Sequence, residues 1–247
     1  MSDPIAGPAY SLRADSRRNY LAFAVLVACL VAVHFVLAFN AGATKSAAQA
    51  AVFSWTALAL IGGLGSASTF FLNLTQLRGI WDANVPLMQR IGWPTFLGLT
   101  IGIAVVAIDL CTGWSHTMAS EVHLTTIHIA FPLSIPIYFG GAILVTIIYY
   151  YILIPFIDWI VAYKLLKGRG ENVVFWSAGA LLALVEPVTQ GDFSAIPRHG
   201  VPALGGALGD LALNFAQVFL LRRSGLVAAA TVRIAFYAVW HVIYGLF

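Results

Sequence analysis

The chain has 247 residues, of which 60% are hydrophobic and only 9% are charged. A soluble domain carries roughly a quarter charged residues, so this composition predicts a polytopic membrane protein and argues against a soluble one. The formal net charge of +3 comes from few charges, and no basic stripe with interleaved aromatic residues is present, so we expect no nucleic-acid partner.

Apolar stretches predict seven membrane spans, because about 20 residues at 1.5 Å each cross roughly 30 Å of hydrocarbon. The spans are predicted at residues 19–40, 48–75, 91–111, 127–151, 173–190, 204–221 and 225–246. Residues 1–18 are polar and form a predicted cytoplasmic tail. A signal peptide is the competing interpretation of the N-terminus, but the apolar run at 19–40 is long enough to span a bilayer, so we expect a retained first span.

The segment after the fourth span is predicted to turn aside at Pro155. One straight helix over residues 127–163 would be about 55 Å long, which is too long for one span. The following segment contains Asp158, Trp159 and Lys164, so we expect an interfacial helix there, with a separate short span as the alternative.

Basic residues concentrate in the N-terminal tail and in segments 76–90, 164–170 and 222–223. With seven spans and a cytoplasmic N-terminus, all four segments face the cytoplasm, as the positive-inside rule requires. An eighth span at 153–167 would move the last basic turn to the opposite side. We therefore expect an all-α integral membrane protein, in a bacterial inner membrane, with seven spans and an interfacial helix.

Glycines cluster in two of the predicted spans. Gly62, Gly63 and Gly65 lie in the second span, and Gly140 and Gly141 lie in the fourth. No lysine follows the first cluster with the spacing of a phosphate-binding loop, so both clusters predict close packing of neighbouring helices.

Residues 136–247 resemble a known family. The stretch Pro136-Ile137-Tyr138-Phe139-Gly140-Gly141 is followed by an apolar span from Phe175 to Glu186, and then by an Arg222-Arg223-Ser224-Gly225 turn. This order resembles the CAAX-protease and bacteriocin-processing (CPBP, or Abi) family of intramembrane proteases. The resemblance implies a CPBP-like helical core at 136–247, preceded by N-terminal spans at 19–135.

The resemblance also implies that the catalytic residues of the family are replaced. Leu144 and Val145 stand where the family has a Glu pair, and Glu186 stands where a His is expected. Arg233 and Tyr237 replace the His of the last motif and its polar partner. Leucine and valine can neither activate water nor bind a metal, so no catalytic residue carries over.

Glu186 and Arg233 are predicted to form a buried ion pair at the former catalytic site. A lone charge at the centre of a span costs about 2.5–3.5 kcal/mol, and the family's fold places these two positions opposite each other. The alternative is that each side chain snorkels to the interface or faces a partner subunit.

A first candidate metal site combines Asp109, His116, His123 and His128. Carboxylate and imidazole groups are ligands for zinc or copper. Together with the Pro136-Ile137-Tyr138 that follows, these residues resemble, more weakly, the C subunit of copper membrane monooxygenases. Histidines that simply lie beside a polar loop at the interface are the alternative explanation.

A second candidate site combines Glu186, His199 and His241, which could form a rebuilt metal site on one side of the membrane. Aromatic residues near the C-terminus are assigned to an interfacial belt. They are Phe236, Tyr237, Trp240, Tyr244 and Phe247.

The leading functional prediction is a non-catalytic, pseudoprotease-like membrane protein without a cofactor. It would bind membrane lipid, a lipid-like molecule or a partner membrane subunit, since little of the chain lies outside the membrane. The alternatives are a metal-dependent intramembrane hydrolase and a subunit of a larger complex such as a copper monooxygenase.

Overall fold

The computed structural model describes residues 12–40, 51–121, 126–190 and 192–247, and it describes only the backbone of residues 12–15, 190, 192 and 194. Every regular element in these ranges is helical, which confirms the all-α class. The longer helices are α1 (Leu12–Phe39), α2 (Trp55–Leu72), α3 (Met88–Thr112), α4 (Trp114–Glu121), α5 (Ser134–Leu165), α6 (Glu171–Gln190), α7 (Asp192–His199), α8 (Val201–Ser224) and α9 (Leu226–Leu246).

Seven of the described helices are long and apolar enough to cross a membrane, which confirms the predicted number of spans. They are α1 from Ser16 onward, α2, α3, α5, α6, α8 and α9. The chain is therefore an integral membrane protein. Helices α4 and α7, of 8 residues each, lie between the predicted spans.

The predicted interfacial helix after Pro155 is wrong. The chain does not turn aside at Pro155 but continues as one helix from Ser134 to Leu165. Ile154, Pro155 and Asp158 are buried inside the bundle, so this segment does not lie along the membrane surface. A separate eighth span is also wrong, because α5 is continuous here.

Two features of the structure accommodate Pro155 inside helix α5. Proline has no N–H, so the carbonyl oxygen of Tyr151, four residues earlier, loses its usual intrahelical donor. The hydroxyl of Ser68 on α2 donates a hydrogen bond to that oxygen instead. In addition, π-helical turns at Ile147–Ile152 and Trp159–Leu165 flank the proline, and such wider turns accommodate irregular hydrogen bonding.

Two pairs of glycines bring helices α3, α8 and α9 into close contact. Within each pair, the two glycines are four residues apart. A Cβ atom on Gly98 of α3 would lie 2.2 Å from the backbone oxygen of Val232 on α9, and one on Gly102 would lie 2.9 Å from Val239. Small residues at this spacing let membrane helices approach until their backbones nearly touch.

The second pair belongs to α8 and faces α3. A Cβ atom on Gly205 would lie 2.6 Å from Ile108, and one on Gly209 would lie 2.5 Å from Val105. Helix α3 is therefore held between α8 and α9 by the glycines of two helices.

The glycines of the two clusters predicted to pack closely differ in how much space surrounds them. A Cβ on Gly65 would lie 2.0 Å from the Phe23 ring, and one on Gly140 would lie 2.8 Å from Val33, so a larger residue at either position would force a neighbouring side chain to move. By contrast, Gly62 and Gly63 have no atom within 4 Å of an added Cβ, and the predicted close packing is wrong for them.

Several basic segments meet at one end of the bundle. The loop between α2 and α3 contacts the start of α1, where the side-chain oxygen of Asn19 accepts a hydrogen bond from the Ile80 N–H at 2.9 Å. The Gln76 N–H donates to the Tyr163 hydroxyl at 2.9 Å. Arg222 donates to Glu171 at 2.8 Å. This end is called the basic end below.

Asp82 organises the loop at the basic end. Its carboxylate accepts a hydrogen bond from Arg78 at 2.7 Å and one from the Asn84 N–H at 2.9 Å. Partial burial raises the pKa of Asp82, but the hydrogen bonds from Arg78 and Asn84 and the charges of Arg78 and Arg90 outweigh that effect. The pKa of Asp82 is therefore lowered.

Candidate functional site

Glu186 of α6 and Arg233 of α9 lie in contact in the middle of the bundle. One guanidinium nitrogen, Nη1, lies 2.5 Å from Oε1, and the other, Nη2, lies 2.8 Å from Oε2. The two residues are 3% and 2% exposed, respectively. The predicted pair is thus a buried, bidentate ion pair, the geometry that matches a planar guanidinium to a carboxylate.

Every N–H group of Arg233 has a hydrogen-bond acceptor. Besides the two bonds to Glu186, Nε donates to the side-chain oxygen of Gln217 at 2.7 Å and Nη1 donates to the Tyr237 hydroxyl at 3.2 Å. Nη2 also donates to the side-chain oxygen of Asn214. A guanidinium has five N–H donors, so this set uses all of them.

The residues that receive these bonds are themselves fixed by further bonds. The Gln217 amide nitrogen donates to the Thr146 hydroxyl of α5 at 2.8 Å and to the backbone oxygen of Ala229 at 3.1 Å. The Asn214 amide nitrogen donates to the backbone oxygen of Ala183 at 3.1 Å. These bonds join α5, α6, α8 and α9 into one polar network, called the Arg233 network below.

A cavity of about 190 Å³ lies directly beside the Arg233 network. It lies between α3, α4, α6, α8 and α9, in the half of the bundle away from the basic end. Its apolar and aromatic lining is Val105, Ile108, Trp114, Met118, Ile127, Phe236, Tyr237 and Trp240. Its ionisable lining is Asp109, Glu186, Asp210, Arg233 and His241.

Asp109 links helices α3, α4 and α9 at the edge of this cavity. Its Oδ1 accepts a hydrogen bond from the Ser115 N–H at 2.6 Å, which satisfies a backbone donor in the first turn of α4. Its Oδ2 accepts from the hydroxyls of Ser115 and Tyr244, both at 2.6 Å. Asp109 is 2% exposed, and all three of these donors are neutral.

The structure brings together two histidines that the sequence assigned to different metal sites. The Nδ1 atoms of His128 and His241 lie 3.3 Å apart. The His241 ring stacks on Tyr138 with 4.1 Å between ring centroids and 7° between planes. His128 packs edge-on against Trp240. The aromatic rings on both sides hold the two imidazoles in place.

The other candidate ligands lie elsewhere. His199 contacts Glu121 with 2.7 Å between nitrogen and oxygen, whereas Glu186 and His241 both line the cavity. His116 is exposed on α4, and His123 lies outside the described residues. Within the described ranges, no group of three or more His, Cys, Asp or Glu residues is placed so that it could hold a metal ion.

Sequence reasoning missed most of the polar residues of the site. Asn214 and Gln217 are buried polar residues three apart on an apolar span, which places them on one face of α8. That three-residue spacing was the feature of the sequence that could have predicted these two site residues.

The predicted interfacial belt of aromatic residues is wrong for Phe236 and Trp240, which are 1% and 8% exposed inside the bundle. Phe247, by contrast, is fully exposed.

No protein-family model matches this chain, and no curated protein or solved structure shows significant similarity to it.

Proposed function

We propose that this chain is a non-catalytic, pseudoprotease-like membrane protein that binds a lipid-like molecule, with the polar end of that molecule in the cavity. The observation that carries the proposal is the Arg233 network. Its members Glu186 and Arg233 stand at sequence positions where the CPBP resemblance implies catalytic residues, and the donors and acceptors of the network are bonded to one another.

The bonding of Glu186 argues against a role as a general base. Hydrolysis requires a base that can reach a water molecule and take its proton. Both oxygens of Glu186 already accept hydrogen bonds from Arg233, and Oε2 also lies 3.3 Å from the Tyr150 hydroxyl. Freeing Glu186 for catalysis would separate a buried ion pair, which costs about 3–5 kcal/mol.

The size and lining of the cavity support binding of one end of an amphiphile. Pockets that enclose a whole drug-sized ligand measure roughly 300–1,000 Å³. A cavity of about 190 Å³ is smaller than that, yet it is lined by both ionisable and apolar side chains. A polar head group fits these features, and an attached chain would extend along the apolar helix surfaces.

Cavity filling provides the test. The Met118→Trp substitution enlarges a side chain that lines the cavity, and Met88→Trp makes the same change at an exposed position on α3. Native mass spectrometry of protein purified in mild detergent is expected to show bound lipid in the wild type and in Met88→Trp. We expect loss of that lipid in Met118→Trp. Equal occupancy in all three proteins, or no bound lipid in any of them, would contradict the proposal.

A metal-dependent hydrolase is the second candidate, because Glu186 and His241 line the same cavity and His128 lies against His241. Metal analysis of the purified protein separates the two functions. Stoichiometric zinc that is lost in His241→Ala but kept in His34→Ala would favour the hydrolase.

A further inference from the structure

We propose that Asp158 is a proton-binding site in the half of the bundle near the basic end. Its carboxyl group binds a proton at neutral pH and releases it in alkaline solution. The site is separate from the cavity of the proposed function and does not depend on it. Three observations support it: the burial of the carboxyl group, the bonding of its charged neighbours and the irregular helix around it.

The first observation is a buried carboxyl group without a hydrogen-bond donor. Asp158 of α5 is 1% exposed, and neither of its side-chain oxygens has a hydrogen-bond partner among the described residues. An ionised carboxylate in such a place loses its hydration and gains no hydrogen bond in return, which costs far more than burial of the neutral acid. A bound proton removes the charge and with it most of that cost.

The other buried acids show how this chain stabilises a carboxylate. Within the described part of the chain, the buried acids besides Asp158 are Asp109 and Glu186. Asp109 accepts hydrogen bonds from Ser115 and Tyr244, and Glu186 pairs with Arg233. Asp158 lacks both arrangements.

The second observation is that the charged neighbours of Asp158 are bonded to other groups. Glu171 of α6 and Arg222 of α8 both act electrostatically on Asp158. However, Arg222 donates to Glu171 at 2.8 Å and to the side-chain oxygen of Asn172 at 2.7 Å. The two opposite charges largely cancel at Asp158, so Arg222 does not serve as its counter-ion.

The remaining neighbours supply no positive charge either. Helix α2 contacts this segment through the Phe71 ring, which packs on Phe156 and Trp159, and α2 contains no ionisable residue. On α5 itself, Tyr163 interacts electrostatically with Asp158. A metal cation needs several oxygen ligands, whereas a proton needs only one carboxyl oxygen. A proton therefore suits this site better than a metal ion.

The third observation is the irregular helix on both sides of Asp158. π-Helical turns at Ile147–Ile152 and Trp159–Leu165 flank it, and such turns occur frequently at functional sites. The second turn contains Tyr163, whose hydroxyl donates to Glu171 at 2.9 Å and accepts from the N–H of exposed Gln76. Tyr163 and Glu171 thus connect the surroundings of Asp158 with the surface of the basic end, from which the proton would exchange.

Infrared spectroscopy tests the bound proton, because the carbonyl band of a carboxylic acid is separate from the bands of a carboxylate. Spectra of the full chain in detergent micelles would compare the wild type with Asp158→Asn. Asp82→Asn, in the partly exposed loop at the basic end, is the matched control. At neutral pH we expect Asp158→Asn to lose a carboxylic-acid band that the wild type and Asp82→Asn retain. In the wild type this band should disappear in alkaline buffer.

Chemical modification locates the proton without any substitution. Apolar carbodiimides partition into the membrane region and react with protonated carboxyl groups, and peptide mass spectrometry identifies the modified residue. In the wild type we expect modification of Asp158 at neutral pH and its loss in alkaline buffer. Asp82, whose carboxylate is bonded to Arg78, should not be modified.

The possible results separate this inference from the proposed function. Identical carboxylic-acid bands in the wild type and Asp158→Asn would show that Asp158 is ionised and would overturn the site. If Asp158→Asn does not fold, the modification of the wild type decides. Absence of modification at Asp158, or equal modification at neutral and alkaline pH, would then overturn it. None of these results alters the lipid occupancy of the cavity, which native mass spectrometry measures independently.

Discussion

A guanidinium buried among membrane helices must find an acceptor for each N–H, because no water is available and an unsatisfied donor costs several kcal/mol. Arg233 meets this demand with one carboxylate, two side-chain amides and one hydroxyl from three helices. The cost of burying the charge is offset only while the whole set is present. Each member is therefore more important to stability than its single bond suggests.

A double-mutant cycle on the ion pair tests this view. Glu186→Leu and Arg233→Met are each expected to destabilise the protein by about 3–5 kcal/mol, because each leaves an uncompensated buried charge. The double variant should cost clearly less than the sum of the two. Reversible unfolding in mixed detergent micelles would measure these values.

The control for the cycle is the partly exposed pair of Arg78 and Asp82, whose nitrogen and oxygen lie 2.7 Å apart. Asp82→Asn is expected to cost at most about 1 kcal/mol, as is usual for surface ion pairs. Strict additivity of the Glu186 and Arg233 substitutions would show that the two residues do not stabilise each other.

At the scale of the helix, backbone approach decides which glycines are needed. Gly98 lies against the backbone of Val232, which cannot move aside without shifting α9, whereas Gly62 has open space around it. Both residues lie in apolar spans and look alike in the sequence. Only the identity of the neighbouring helix distinguishes them.

Substituting each glycine by alanine tests the distinction. Gly98→Ala places a Cβ where only 2.2 Å is available, so we expect a loss of about 1–3 kcal/mol from overpacking. Gly62→Ala should be neutral or stabilising by up to about 1 kcal/mol, because alanine is the better helix former. Thermal unfolding in the same detergent would measure both. A larger loss for Gly62→Ala would contradict the packing of α3 on α9.

For the molecule as a whole, the distribution of charge predicts how the bundle lies in the membrane. Arg17, Arg78, Lys167 and Arg222 all belong to the basic end, together with their neighbouring basic residues. The cavity lies toward the other end. By the positive-inside rule we expect the basic end to face the cytoplasm, and the cavity would then receive its ligand from the opposite leaflet or compartment.

Cysteine labelling in intact cells tests this orientation. In a Cys29→Ala, Cys111→Ala background, Lys167→Cys should be protected from a membrane-impermeant maleimide, and Ser120→Cys, at an exposed position of α4, should react. After the cells are opened, Lys167→Cys should also react, which provides the control for accessibility. Labelling in the reverse order would invert the orientation.

The sequence by itself determined the features that depend on local composition. Seven apolar stretches of sufficient length predict seven spans, and the structure contains them. Glu186 and Arg233 could be paired in advance because two opposite charges inside apolar spans are each costly alone, and because the CPBP resemblance implies that the two positions lie opposite each other. The CPBP-like resemblance of residues 136–247 and the cytoplasmic N-terminus stay predictions.

The tertiary structure decided what depends on neighbours distant in sequence. Pro155 remains inside α5 because Ser68, on another helix, donates to the freed carbonyl of Tyr151. Hydropathy cannot reveal such a partner. Likewise, Asp109, Asp210 and the aromatic residues of α9 line one cavity only because the glycines of α3 and α8 let three helices approach closely. Side-chain shape across helix contacts sets that arrangement, and a pattern read along one chain does not contain it.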